Sequence, residues 1–399
     1  MKKIFINIFI LFVLFANIIF TQLNLPYVFQ TWDVIFELML ILIFILKSVK
    51  SGLHIKKINF KCFILIVLLI LDGLMGNLIY NYASSYMAIF KDILSFLKFP
   101  LIFLILKSLN LDCYLSEYLD KNFYNVLKFI VIVIFSCGFF SLFKDIGMSL
   151  NEYRHGIRTY TFLFSHPTYM VVSMVFVLAL FEYKGNEIKN KNFYELLTIA
   201  IITMTMRTKG FAIIAVFIIL KYFGNILKKH KFISMFVAVL VVTLVGYSKV
   251  SLYMNFSSSA REILYRGSIT LLTKCFPFGS GFGTFASHIS GQYMSKVYDF
   301  INIKYIWEIA GNSIAQLGDT GFPYYVGQFG IIGIVLLSFL AKHIVELTCI
   351  NDKNRNAVIL ILVYILIGLT SESTLVNLGV ELAIILAIVS SVSEENDKN

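Results

Sequence analysis

The sequence predicts an all-α integral membrane protein of about twelve transmembrane helices, with one large extracytoplasmic loop containing short amphipathic helices. Three observations carry that reading. Of 399 residues, 58% are hydrophobic and 14% charged, where a soluble domain has about a quarter charged. Apolar runs, most of them long enough to cross a core roughly 30 Å thick, follow one another along the whole chain. Between them, lysines gather in every second loop, where the positive-inside rule places them.

Taken in order, the spans fall near 4–20, 27–46, 62–80, 87–106, 125–143, 163–181, 193–206, 209–223, 232–248, 322–341, 357–371 and 375–391. The first follows Met1-Lys2-Lys3 and has no small-x-small cleavage site after it, so it reads as an uncleaved first span. The seventh and eighth are short and nearly continuous, the pattern of a broken or tilted pair. Residues 1–248 thus hold nine spans with short loops, 249–321 the large loop, 322–392 the last three spans and 393–399 a polar tail. With the N-terminus cytoplasmic, an even count returns the C-terminus to the cytoplasm. Lys47, Lys50, Lys56, Lys57 and Lys61 then share a side with Lys184, Lys189, Lys191, Lys228 and Lys353. That orientation signal accounts for the net charge of +11, and nucleic-acid binding is set aside. Five scattered cysteines without CxxC spacing suggest neither a disulfide frame nor a metal site, and no cofactor is implied.

Arginine follows a different rule. Of six, only Arg355 falls on the lysine side, while Arg154, Arg158, Arg207, Arg261 and Arg266 fall on the outer side. Orientation does not require that split, and a planar guanidinium binds phosphate or carboxylate bidentately where lysine cannot. Surface ion pairing is one explanation; an outward-facing anion site built from several loops is the other. Arg154 and Arg158, spaced i,i+4, would share one helix face shortly before His166-Pro167. Arg207 and Lys209 sit in the tight turn Met206–Gly210, where snorkelling competes with a phosphate contact.

Helical projection of 261–274 sets Glu262, Arg266, Thr270, Thr273 and Lys274 on a polar face, with Leu264, Ser268, Leu271 and Cys275 opposite. Glu262 and Arg266 are spaced to pair, and Arg261 projects toward the apolar side. Gly279, Gly281 and Gly283 form a turn whose amides could take a phosphate, although a P-loop is excluded because Gly-Lys-Ser/Thr is missing. His288, Glu308 and Asp319 are the candidates for a general base, with Asp319 first. Inside the spans, Asp72 and Lys98 lie at similar depth in neighbouring helices and are expected to pair.

The order Arg261, Pro277-Phe278-Gly279, Gly281, Gly283, Asp319, Tyr325, Gly330 and Gly333 resembles the polysaccharide polymerases and ligases of bacterial envelopes, the O-antigen polymerase and O-antigen ligase family. Phe164-Ser165-His166-Pro167 and Arg207-Thr208-Lys209-Gly210 look like its weaker upstream blocks, so the resemblance covers most of the chain. Where the ligases carry a histidine this sequence has Asp319-Thr320, which favours a polymerase. The resemblance implies a metal-independent glycosyltransferase of the bacterial inner (cytoplasmic) membrane. It would join undecaprenyl-pyrophosphate-linked oligosaccharide repeat units at the outer face. Arg261, Arg207 and Asp319 would be catalytic, with Arg154, Arg158, His166, Lys209, Arg266, Gly279, Gly281, His288 and Tyr325 holding substrate. Membrane lipid, a flippase and a chain-length regulator would be its partners. A ligase of the same fold, or a lipid-linked oligosaccharide flippase or transporter, are the alternatives. Charges gathered at one face, without repeat symmetry, disfavour the transporter.

Overall fold

An apolar segment that cannot hydrogen-bond to its surroundings must satisfy its backbone internally, and a helix is the local solution. The computed structural model describes residues 2–23, 31–51, 57–154, 156–184, 187–229, 260–301, 317–318, 320–348 and 353–391, and these fold accordingly. They form α1 (Lys2–Gln22), α2 (Trp32–Ser51), α3 (Lys57–Tyr80), α4 (Tyr86–Ser108), α5 (Leu111–Glu117) and α6 (Lys121–Phe143). A hairpin of β1 (Ser149–Arg154) and β2 (Ile157–Tyr160) follows, then α7 (Pro167–Tyr183), α8 (Lys191–Met204) and α9 (Thr208–Lys229). The remainder comprises α10 (Ala260–Lys274), α11 (His288–Gln292), α12 (Val297–Phe300), α13 (Gly321–Leu347), α14 (Arg355–Leu369), α15 (Thr374–Asn377) and α16 (Gly379–Val389).

Four of these helices, α1, α3, α6 and α13, are long and apolar enough to cross a membrane, at 21, 24, 23 and 27 residues. Shorter apolar helices stand where the sequence predicts further spans: α7 with 17 residues, α14 with 15 and α16 with 11. At 1.5 Å per residue the last covers only about 16 Å, because α15 and a break at Leu378 interrupt the predicted span 375–391. The predicted ninth span, 232–248, lies outside the described residues.

Helix α7 is apolar nearly all round and buried all round from Met170 to Glu182, and α16 likewise from Leu382 to Val389. With α4 they make the centre of the body, α16 packing on α4 and α7, and α14 and α1 on α7. The outer helices leave Val49, Leu78, Phe129 and Phe143 more than half exposed, a surface suited to lipid chains. Polar contacts mark one end of the bundle. Lys3 pairs with Asp120, Lys107 with Asp112 and the Ser390 carbonyl, and both Lys191 and Asn356 reach Glu182. The start of α1 and the finish of α16 therefore lie at the same end.

Two expectations about charged residues fail. Arg154 and Arg158 are on a hairpin, not a helix: Gly156 at φ +80° turns the chain, and Tyr153 stands opposite Arg158 while Arg154 stands opposite Ile157. Successive strand residues face opposite sides, so the two arginines point away from each other. Lys98 pairs with Asp33 rather than Asp72, because α2 packs on α4 and brings Asp33 to it. Asp72 instead faces α13, where a Cβ on Gly333 would stand 2.8 Å from its Oδ2. The amphipathic pattern of α10 is found, except that Glu262, which the projection sets on the polar face, is buried. Leu264, Leu271 and Cys275 are fully buried, Arg266, Thr273 and Lys274 are exposed, and Arg266 reaches Glu262 at 2.8 Å.

The turn after α10 locks this body together. Gly330, at φ +59°, breaks α13, and the turn carrying Gly279 enters the break. A Cβ on Gly279 would lie 2.5 Å from the Gln328 carbonyl oxygen, and one on Gly330 would lie 2.4 Å from the Gly279 nitrogen. Only glycine permits that approach at these dihedrals. The Ile331 amide donates to the Pro277 carbonyl, and the Asn77 side chain both donates to the Phe282 carbonyl and accepts from its amide, each at 2.9–3.0 Å. Buried Asp92 accepts the Gly283 amide at 2.8 Å. The glycines of 279–283 and 330 are thus an architectural clasp, and they fix one end of α10.

Candidate functional site

At the end of the bundle away from the lysines, five pieces of chain converge. They are the hairpin, the loop before α7, the start of α9, the first turn of α10 and the turn after α14. Met206 at φ +51° and the close seating of Gly210 on Ile202 fold α9 back on α8, which leaves Arg207 at the tip. Arg355, by contrast, donates to the Gly224 carbonyl, 16 residues or about 24 Å along α9 from Thr208.

Glu152 is the hub. Its Oε1 accepts from Arg154 Nε and Nη2 at 2.9 and 2.6 Å, and its Oε2 accepts from Arg207 Nη2 at 3.0 Å. Arg207 Nη2 also lies 3.3 Å from His166 Nε2, while its buried Nε meets no acceptor among the described residues. Behind it, Lys209 Nζ donates to Glu372 Oε1 at 2.7 Å, and the Tyr364 hydroxyl donates to the same oxygen at 3.2 Å. Tyr265 anchors α10 by donating to the Thr370 carbonyl at 3.0 Å, and one turn earlier Arg261 lies close enough for its charge to act on both Arg207 and Lys209. Four cations (Arg154, Arg207, Lys209, Arg261) less two carboxylates (Glu152, Glu372) leave this cluster at +2 with His166 neutral.

The surplus shapes the titration of its members. The hydrogen bonds from Arg154, with the charges of Arg207 and Arg154, hold the Glu152 carboxyl below the usual range despite partial burial. Burial, then the cations Arg207 and Lys209, push the His166 imidazole down. As the cap of α7, His166 Nδ1 receives the Thr168 amide at 3.3 Å while its Nε2 faces Arg207. A neutral imidazole has one acceptor nitrogen and cannot serve both donors. One N–H is left facing another donor, an arrangement that an anion between them would relieve. The unfolded chain, whose histidine titrates near its ordinary value, binds that proton more readily, so the fold loses stability as pH falls through about 6.5. A docking anion reverses the bias and draws a proton onto His166. Affinity for an anion that does not itself titrate in this range, such as sulfate, should therefore rise as pH drops from 7.5 to 5.5, by up to about tenfold per unit for one linked proton. Isothermal titration should show this slope in the wild type and a flatter one in His166→Asn, which keeps a capping side chain.

Other predicted site residues lie elsewhere. Arg158 pairs with Asp145 and stacks on Tyr153, and exposed Arg266 pairs with Glu262. The Gly279 amide donates to the Cys275 carbonyl at 2.8 Å and that of Gly281 to the Gln328 carbonyl at 2.9 Å. Ser280, Phe282 and Gly283 amides are engaged too, so this turn offers a phosphate no donors, contrary to expectation. Tyr325 stacks on Phe329 and lines an apolar groove of about 450 Å³ between α4, α13 and α14. That groove includes Leu369 and Leu375, on either side of Glu372 in sequence. His288 is exposed at the start of α11 beside Gly318, and Asp319 and Glu308 lie outside the described residues.

Sequence reasoning missed Glu152, Tyr364 and Glu372. The signal was present for Glu372, whose position between the last two predicted spans assigns it to the arginine side. Comparison with protein-family models, with curated proteins and with solved structures finds no match.

Proposed function

We propose that this protein is a polymerase of bacterial surface polysaccharide, O-antigen or capsule, acting at the outer face of the inner membrane with both termini in the cytoplasm. It joins oligosaccharide repeat units carried on undecaprenyl pyrophosphate. An acceptor hydroxyl attacks the anomeric carbon of the chain on a second carrier, the bond from that carbon to the pyrophosphate oxygen breaks, and lipid pyrophosphate leaves. The hydroxyl proton passes to a carboxylate base, the role the family resemblance gives Asp319.

The observation that supports this reading best is the convergence of Arg154, Arg207 and Arg261 from three separate segments of the chain, with a buried Arg207 Nε that meets no acceptor among the described residues. A leaving pyrophosphate gains negative charge as its bond to sugar breaks. Cations fixed in advance at that point stabilise the transition state more than the ground state. The apolar groove gives a polyprenyl tail a place next to the Glu372 turn.

Deleting the gene in its host and sizing the surface polysaccharide on a gel tests the proposal. The expected result is collapse of a ladder to core plus one repeat unit, not rescued by Arg261→Ala. Loss of all attached glycan, with long lipid-linked polymer accumulating, would make the protein a ligase. An unchanged ladder would overturn the reading.

A further inference from the structure

A second concavity lies in the body, walled by α1, α2, α7, α15 and α16 and distinct from the arginine cluster. Its volume of about 380 Å³ falls in the range of small-molecule sites, about 300–1,000 Å³. Asn17, Trp32, Asp33, Ser165, Asn377 and Glu381 contribute to its lining. A concavity with this many polar side chains in its wall suits an occupant that pairs with them.

The lining narrows the chemistry. Lys98 already neutralises Asp33, so the carboxylate there offers a cation little. Glu381 makes no ion pair among the described residues, and its carboxyl lines the cavity as a hydrogen-bonding group. Asn377, one turn before it, is exposed to the cavity and makes no side-chain hydrogen bond among the described residues. Asn17 Oδ1 holds the Ser165 amide and hydroxyl, both at 3.0 Å, which fixes that wall. Trp32 is braced edge-on against Phe12 with ring centroids 5.0 Å apart. A carboxyl group, amide side chains and a rigid aromatic face suit a neutral ring bearing several hydroxyls. The hydroxyls pair with the polar groups and the C–H face covers the indole.

We propose that this cavity binds one sugar ring, at the acceptor end of the glycan. The proposal rests on the polymerase reading for its biological role. Its position fits that role, since Ser165 lines the cavity while the next residue, His166, lies 3.3 Å from Arg207. The acceptor hydroxyl is thereby held beside the leaving pyrophosphate.

Trp32 is one of two tryptophans, with Trp307, so it reports on the cavity by fluorescence. The probe is the oligosaccharide released by mild acid from the host's lipid-linked repeat unit, titrated into the purified full-length protein in nanodiscs. The expected result is a saturable change that disappears in Trp32→Phe. Glu381→Gln and Asn377→Ala should each weaken binding roughly tenfold, as loss of one hydrogen bond does. Binding of undecaprenyl pyrophosphate should be unchanged in both. No saturable change at Trp32, or equal affinity in both polar variants, would overturn the cavity assignment. Sugar binding by a wild-type protein that extends no chains would sink the polymerase reading and leave the cavity's ligand standing.

Discussion

Replacing Arg207 by lysine should abolish chain extension while leaving the protein folded. The two halves of that result have different causes. Glu152 accepts three hydrogen bonds, and two of them come from Arg154, so losing the Arg207 contact still leaves this carboxylate paired. The structural loss is then that of one ordinary charged hydrogen bond, about 1.5–3 kcal/mol. The chemical loss is larger. Lysine keeps the charge but presents it at one point, and it cannot hold Glu152 and a phosphate oxygen together as a planar fork does. Removing one preorganised donor from a developing oxyanion typically costs 10²–10³-fold in rate, about 2.7–4 kcal/mol. Ladder length on a gel reads the chemical loss, and the yield of monodisperse protein by size exclusion reads the structural one. A ladder of wild-type length in Arg207→Lys would mean that these arginines are surface ion pairs and nothing more.

Much of the architecture is legible in the sequence because it follows from transfer energetics alone. Apolar runs mark α1, α3, α6 and α13, and the period of the polar residues in α10 gives the correct buried face. Lengths of the central helices are less legible. α7 and α16 are buried on every side, so nothing in their composition separates a full span from a short core helix. The charged residues divide in a similar way. The arginine-versus-lysine split groups Arg154, Arg158, Arg207, Arg261 and Arg266, of which Arg154, Arg207 and Arg261 come together while Arg158 and Arg266 pair with Asp145 and Glu262; placement at an end of the bundle is a one-dimensional property. Which carboxylate each cation meets depends on helix order, and a single sequence does not carry it. Lys98 therefore finds Asp33 and not Asp72. The glycine motif shows the same limit, since a positive φ suits a phosphate cradle and a backbone clasp equally. Only the partners of its amides, the Cys275 and Gln328 carbonyls and Asp92, decide between them.

Lys209, two residues from Arg207, should behave in the opposite way. Its side chain is 6% exposed and its ammonium donates to Glu372, whose side chain is 16% exposed and also holds the Tyr364 hydroxyl. Lys209→Met removes the cation and leaves that carboxylate buried without its counter-charge, a loss of about 3–5 kcal/mol. Folded protein should fall sharply. The double variant Lys209→Met/Glu372→Gln removes both charges, and replacing a buried pair as a unit is often close to neutral. The cluster's net charge also stays at +2, now from three cations less one carboxylate, so the field at Arg207 is preserved. Recovery of folded protein together with chain extension within roughly tenfold of wild type is therefore expected, because a buried lysine bound to its partner positions the Thr370–Thr374 turn, and through Tyr265 the first turn of α10, rather than touching substrate. Recovery of the fold with extension still absent would instead place the Lys209 ammonium on the phosphate. The contrast between neighbouring cations is the test of the whole arrangement: substitution of Arg207 is felt in the chemistry, and that of Lys209 in the fold.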